Sequence, residues 1–328
     1  MRPARLFLAV AMALAGFAAG AAASPLRDRI WLESYLSFPI EDVPFTASAM
    51  GYRGRVKEVT AVFDIHDRRG SLATSRETVA RFFEDGRAAE EIDTDRLAAQ
   101  TVFRAVYSYN DRKQIAAITR TDYAAGTTEA IDFLYDAKGF LVGAQMRQDG
   151  RIEKNIAIVN TETGQPLLVL TRSPDGQELS RVAYTYADDA VRIAYTGDGG
   201  AARVISVFAL DAAGRTVAAA TQRRDAAAVV DYDGTYRYTY LPDGGKLFHG
   251  VEFHPNALPH PTSCVLDREF FANGGASHTQ AEGDDVTCQN APSPRPDVAF
   301  DPQGNFTWTR LGPYEHSYRI VYYAAPTM

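Results

Sequence analysis

The chain has 328 residues, a formal net charge of −7, 46% hydrophobic side chains, 17 tyrosines, 17 phenylalanines and 2 cysteines. That length allows one large or two ordinary domains with a full core. The acidic balance, with no basic run longer than Arg68-Arg69 or Arg223-Arg224, argues against a nucleic-acid partner. Two cysteines without Cys-x-x-Cys spacing indicate neither a zinc cluster nor a thioredoxin-like redox pair.

Residues 1–23 read as a cleavable export signal. Arg2 and Arg5 precede an apolar stretch from Leu6 to Ala19, and Ala21-Ala22-Ala23 forms a small-residue cleavage site. Cleavage is expected after Ala23, since cutting one residue later would place Pro25 first in the mature chain. No second long apolar run follows, so no integral membrane insertion is expected. The mature chain is then periplasmic or secreted and carries a net charge of about −9, because the signal holds two arginines and no acid.

After a short N-terminal segment, 24–55, the region 56–254 is built on a recurring pattern. An alternating run ends in an aromatic or aliphatic residue, Asp or Asn follows, then a short polar stretch, then Gly. Examples are Phe133-Leu134-Tyr135-Asp136-Ala137-Lys138-Gly139, Gln148-Asp149-Gly150-Arg151, Phe208-Ala209-Leu210-Asp211-Ala212-Ala213-Gly214 and Phe300-Asp301-Pro302-Gln303-Gly304. Asp at the first turn position accepts a hydrogen bond from a following backbone N–H, and Gly at the fourth adopts the left-handed conformation. In the short Asp-Gly versions both central residues take positive φ, matching the twist of a hairpin. Between turns, runs such as Val182-Ala183-Tyr184-Thr185-Tyr186 alternate with period two, the mark of strands with one buried face. The glycines at 70, 86, 139, 150, 176, 214, 244 and 304 show no fixed period. The fold class is therefore all-β, a repetitive antiparallel hairpin meander, with a β-propeller as the alternative.

Residues 74–100 are ambiguous. Thr74-x-x-Glu77 resembles a helix capping box, yet Asp85-Gly86-Arg87 interrupts the helical spacing, and a hairpin is the preferred reading. Past Phe253 the composition shifts, with Pro255, Pro259, Pro261, Pro292, Pro294 and Pro296 bracketing the cysteines. A loop-rich insertion is expected over 255–297, stapled by a Cys264–Cys288 disulfide worth roughly 3 kcal/mol, before residues 298–328 complete the β domain.

The elements at 133–141, at Phe82-Phe83-Glu84-Asp85-Gly86-Arg87 and at Phe300-Asp301-Pro302-Gln303-Gly304-Asn305-Phe306 resemble the tyrosine-aspartate (YD) repeats of rearrangement-hotspot (RHS) proteins, in the form found in small exported bacterial chains. The resemblance implies a repetitive antiparallel sheet in an extracytoplasmic setting. It brings no catalytic residue with it.

A search for chemistry returns no nucleophile elbow, no phosphate loop and no helical metal-binding pair, so neither a metal site nor a cofactor is expected. Asp231-Tyr232-Asp233-Gly234 is too short for an EF-hand loop. His249, His254 and His260, with Glu252, Asp267 and Glu269, form the best catalytic candidate, and a hydrolase using them must bring an imidazole and a carboxylate together in a cleft. Tyr232, Tyr236, Tyr238 and Tyr240 form a same-facing row that suits a ligand surface, although such rows also serve as cross-strand packing. The functional expectation is a non-enzymatic binding or structural protein of the cell envelope whose partner is an envelope protein or a glycan. The alternatives are the hydrolase and an outer-membrane β-barrel, the latter disfavoured by Arg181, Arg192, Arg203 and Arg237 within the strands.

Overall fold

The structure, a computed structural model, describes residues 46–47, 52–67, 69–197, 202–212, 215–224, 230–242, 245–255, 261–270, 276–283, 288, 297–311 and 314–324. The expected signal at 1–23, most of the segment 24–55, His260 and the prolines at 259, 292, 294 and 296 lie outside the described residues.

Twenty antiparallel strands form one open sheet. In chain order they are β1 (Val56–His66), β2 (Leu72–Phe82), β3 (Ala88–Asp95), β4 (Gln100–Tyr109), β5 (Ile115–Asp122), β6 (Thr127–Tyr135) and β7 (Leu141–Gln148). Next come β8 (Arg151–Asn160), β9 (Pro166–Arg172), β10 (Glu178–Tyr186), β11 (Ala190–Thr196), β12 (Ala202–Leu210), β13 (Thr216–Arg224) and β14 (Val230–Tyr240). The last are β15 (Lys246–His254), β16 (Thr262–Phe270), β17 (Ala276–Gly283), β18 (Asp297–Phe300), β19 (Phe306–Leu311) and β20 (Tyr314–Tyr322). Each strand pairs with the next from β1 to β17 and from β18 to β20, and β20 pairs with β1. This is the expected meander, a single ladder rather than the separate blades of a propeller. Residues 72–95 are a hairpin, Val79 lying opposite Ile92, as the interrupting Asp-Gly implies.

The turns explain the sequence pattern. At 136–140 the Asp136 N–H donates to the Phe140 carbonyl (2.9 Å), the Gly139 N–H to the Asp136 carbonyl (3.0 Å), and the Phe140 N–H to Asp136 Oδ1 (2.8 Å). Gly139 has φ +87°, which a side chain resists, and the ladder register shifts at Tyr135 just before the turn. The same arrangement recurs with Asn110 and Thr161 in the Asp role. In the Asn110 turn Lys113 holds the glycine place at φ +65°. At Asp149-Gly150 both residues have positive φ, the short hairpin geometry expected there.

Counting only the turns along one edge of the sheet uncovers a period that the glycine positions conceal. The turns opening at Phe83, Asn110, Asp136, Thr161, Ala187, Asp211 and Leu241 follow one another at intervals of 24 to 30 residues. Gly70, Gly150 and Gly176 belong to the other edge, and mixing the two sets erases the spacing.

A tyrosine tether ties four of these turns, those at Asn110, Asp136, Ala187 and Leu241, to the one before. Tyr109 donates its hydroxyl to the Ala88 carbonyl (2.8 Å), Tyr135 to Ile115 (2.9 Å), Tyr186 to Pro166 (2.8 Å) and Tyr240 to Thr216 (3.0 Å). In every case the donor ends a strand and the acceptor is the first residue of the strand that left the preceding turn on that edge. Asn160 replaces the tyrosine once, donating to the Leu141 carbonyl (2.8 Å). A tyrosine placed at the strand end just before the turn thus reaches across a hairpin to saturate a backbone acceptor. Tyr135→Phe is expected to cost about 1 kcal/mol, read as a lowered urea midpoint, while Tyr123→Phe, at a residue 51% exposed, leaves the midpoint in place.

One face of the sheet carries the core. Val182 lies opposite Val169 and Tyr184 opposite Ile193, and Val182 and Val191 are completely covered. Burial of each valine contributes about 1.5–3 kcal/mol. A second cluster gathers Ala47, Val56, Val59, Phe82 and Ala88 where β20 closes onto β1.

Residues 255–297 depart from the loop-rich expectation by contributing β16 and β17. The prolines lie before Thr262 and after Gly283, so the stretch between them keeps every N–H needed to pair with β15 and within itself. The expected Cys264–Cys288 disulfide is present, with a Cα–Cα distance of 5.4 Å, and it packs with Leu266, Phe248 and Ala281.

Candidate functional site: the tyrosine face of β14

Tyr232, Tyr236, Tyr238 and Tyr240 occupy alternate positions of β14 and share the core face, each half-buried. Their environments differ. Tyr240 belongs to the tether system, with the Arg215 guanidinium 4.3 Å from its ring centroid. Tyr238 lies 5.4 Å from the Phe248 ring, and burial, reinforced by Tyr240, pushes its phenol up to about 12. These two serve packing.

The other two tyrosines meet over a glycine. The Tyr232 and Tyr236 hydroxyls touch each other above Gly234, where an added β-carbon would lie 2.5 Å from one phenol oxygen and 2.6 Å from the other. The Tyr236 hydroxyl also donates to Glu252 Oε1 (3.2 Å). Its ring stacks on Phe248 at 5.6 Å and covers Gly250, the residue opposite it on β15. The ring of His254, the next position on that face of β15, is 5.1 Å from the Tyr232 ring. The patch therefore combines aromatic area with two hydroxyls and a carboxylate.

The histidine candidates separate. His249 Nδ1 is 2.8 Å from Asp267 Oδ1, but both side chains are more than half exposed on the outer face. His254 and Glu252 lie on the opposite, core face of β15. A β-strand sends neighbouring side chains to opposite sides, so His249 and His254 cannot serve one cleft. Among the described residues no three His, Cys, Asp or Glu side chains converge as metal ligands.

A polar cluster on β3 escaped the sequence reading. Glu91 and Asp93 share the core face, where Tyr107 donates to Glu91 Oε2 (3.5 Å), Thr78 to Asp93 Oδ1 (3.4 Å), and Arg76 Nη1 lies 3.5 Å from Asp93 Oδ2. Desolvation, and then the neighbouring Asp93, pushes the Glu91 carboxyl above its ordinary value. Asp93 is raised by desolvation against the pull of Arg76. The adjacent Glu90 points outward and behaves oppositely. Although its partial burial works to raise it, Arg104 at 2.6 Å and Arg81 at 2.5 Å hold it below the ordinary value. The signal lay in the alternating acids Glu90-Glu91-Ile92-Asp93, which on a strand must put carboxylates on both faces.

The fold and this face define an all-β antiparallel meander with an aromatic, hydroxyl-rich patch and no helix long and apolar enough to cross a membrane among the described residues. No family model matches the chain, and no curated protein matches it. Solved structures give distant likenesses. A porin-like protein from Bacteroides uniformis is 11% identical with a TM-score of 0.36, covering 82% of this chain and 98% of its own. A porin-like protein from Bacteroides vulgatus is 9% identical with a TM-score of 0.33, covering 82% and 99%. TcdB2-TccC3 without its hypervariable C-terminal region is 11% identical with a TM-score of 0.35, and the likeness covers 79% of this chain but 16% of that one. Scores this low carry no argument about function.

Proposed function

We propose that this chain is an exported repeat protein of the tyrosine-aspartate kind, non-enzymatic, which binds an envelope protein or a glycan through the β14 face. The observation that supports this reading best is the tether system. Tyr109, Tyr135, Tyr186 and Tyr240 each end a strand and bond to the strand that leaves the preceding turn, and at Tyr135, which directly precedes Asp136, this gives the Tyr-Asp pair a physical purpose. The disulfide fits an oxidising, extracytoplasmic compartment. Tyrosines beside a carboxylate offer stacking area and hydrogen bonds together, the combination that sugars and peptides use.

The histidine geometry weighs against the hydrolase alternative, since His249 and His254 face opposite sides. A charged network weighs against a lipid-facing barrel. On the outer face Arg81 bridges Glu58 (3.1 Å) and Glu90, Arg104 joins Glu90, and Arg319 stands 3.7 Å from Glu58. Arginines in a lipid-facing band cost about 2–4 kcal/mol each near the midplane.

The test is a glycan array and an envelope-fraction pull-down with the mature, disulfide-intact protein, beside the variant Tyr236→Ala. The expected result is a ligand retained by the wild type and lost at least tenfold by the variant. Turnover of a sugar or peptide panel with no retained ligand overturns the proposal.

A further inference from the structure

We propose that Tyr232, Tyr236, Glu252 and His254 form a binding site for a ferric ion. This goes beyond the envelope-binding role and does not depend on it.

The placement follows from the register. Tyr232, Gly234 and Tyr236 alternate along one face of β14, Gly234 lies opposite Glu252, and His254 is the next residue on that face of β15. Because Gly234 has no side chain, both phenol oxygens settle above it, in space that any β-carbon would fill. Glu252 Oε1 then lies 3.2 Å from the Tyr236 oxygen. Oxygens that share a small cation at about 2.0–2.1 Å stand roughly 3 Å apart. The Tyr236 phenol and Glu252 are thus already near the spacing of adjacent ligands, the Tyr232 phenol in contact with Tyr236 need only part from it to admit the ion, and the imidazole of His254 stands beside Tyr232 as a fourth donor.

Charge selects the ion. Two phenolates and one carboxylate carry three negative charges, which a trivalent cation balances and a divalent one leaves in excess on a half-buried face. Phenolate and carboxylate are hard oxygen donors, tyrosinate is an established ligand of ferric iron, and imidazole accepts iron as well. On binding, two phenolic O–H bonds break, two iron–oxygen bonds form, and two protons pass to solvent. Affinity therefore rises with pH. No change of iron oxidation state is involved.

The experiment titrates ferric nitrilotriacetate into the purified, disulfide-intact mature protein and follows the visible phenolate-to-iron charge-transfer absorption. The expected result is a band saturating at one equivalent. It should be lost in Tyr232→Phe and in Tyr236→Phe and kept in Tyr238→Phe, whose ring shares the face but packs on Phe248. Thermal melts of each variant confirm that loss of the band is not loss of the fold. A folded wild type that gives no band overturns the proposal, as does a band that survives both substitutions together, or zinc binding measured by calorimetry to be as tight as ferric binding. The assay contains no glycan or envelope protein, so its outcome is separate from that of the binding proposal.

Discussion

Replacing both Cys264 and Cys288 by alanine is expected to lower the stability of the mature protein by roughly 3 kcal/mol, the chain-entropy value for a loop of this length. The two cysteines are 24 residues apart and buried, and the bridge fixes Cys288 against Cys264 of β16. Cys264 and Leu266 lie on the core face, so the bridge also holds the cover over a small satellite core with Phe248 and Ala281. The measurement is urea denaturation of the double variant, with the wild type in reductant as a second comparison. Both should shift to a lower midpoint by a similar amount. A shift below about 1 kcal/mol would mean that strand pairing alone fixes this end of the sheet and that the bridge is dispensable.

Glu91→Gln is expected to stabilise the protein at pH 8, by an amount on the order of 1 kcal/mol, and to matter little near pH 4. The sign follows from linkage. Burial raises the Glu91 carboxyl above its unfolded value, so between the two values the folded chain binds more protons than the unfolded chain, and stability falls as pH rises through that window. Asp93 is raised too and contributes in the same direction. His316 acts with the opposite slope, because burial holds its imidazole below the ordinary value and stability is lost as pH falls through that lowered value. Comparing Glu91→Gln with the wild type at each pH cancels the His316 contribution. The check is a series of urea midpoints from pH 4 to pH 9, in which the wild type loses stability toward alkaline pH more steeply than the variant. A variant less stable than the wild type at pH 8 would show that ionised Glu91 is favourably held by the Tyr107 hydroxyl and by the charge of Arg120, which pulls the carboxyl down, and the argument from desolvation would fail.

Local turn and strand chemistry was legible in the chain. Asp136 and Asp301 are followed three residues later by Gly139 and Gly304, and that chemistry acts within five residues, so hairpins and a meander follow from it without knowledge of distant contacts. The pairing of Cys264 with Cys288 was equally accessible, since only two cysteines exist. The repeat length was not. It is set by which edge of the sheet a turn occupies, and Asn110-to-Gln114 hides its membership by using Lys113 where its neighbours use glycine.

What only the tertiary structure decided are relations across strands. The row at Tyr232, Tyr236, Tyr238 and Tyr240 was visible by alternation, but its division into two packing tyrosines and two gathered over Gly234 depends on how β14 registers with β13 and β15. The separation of His249 from His254 and the burial of Glu91 beside exposed Glu90 have the same origin. A strand's own sequence fixes which residues share a face, while the neighbouring strands determine which face is covered and what stands opposite each residue.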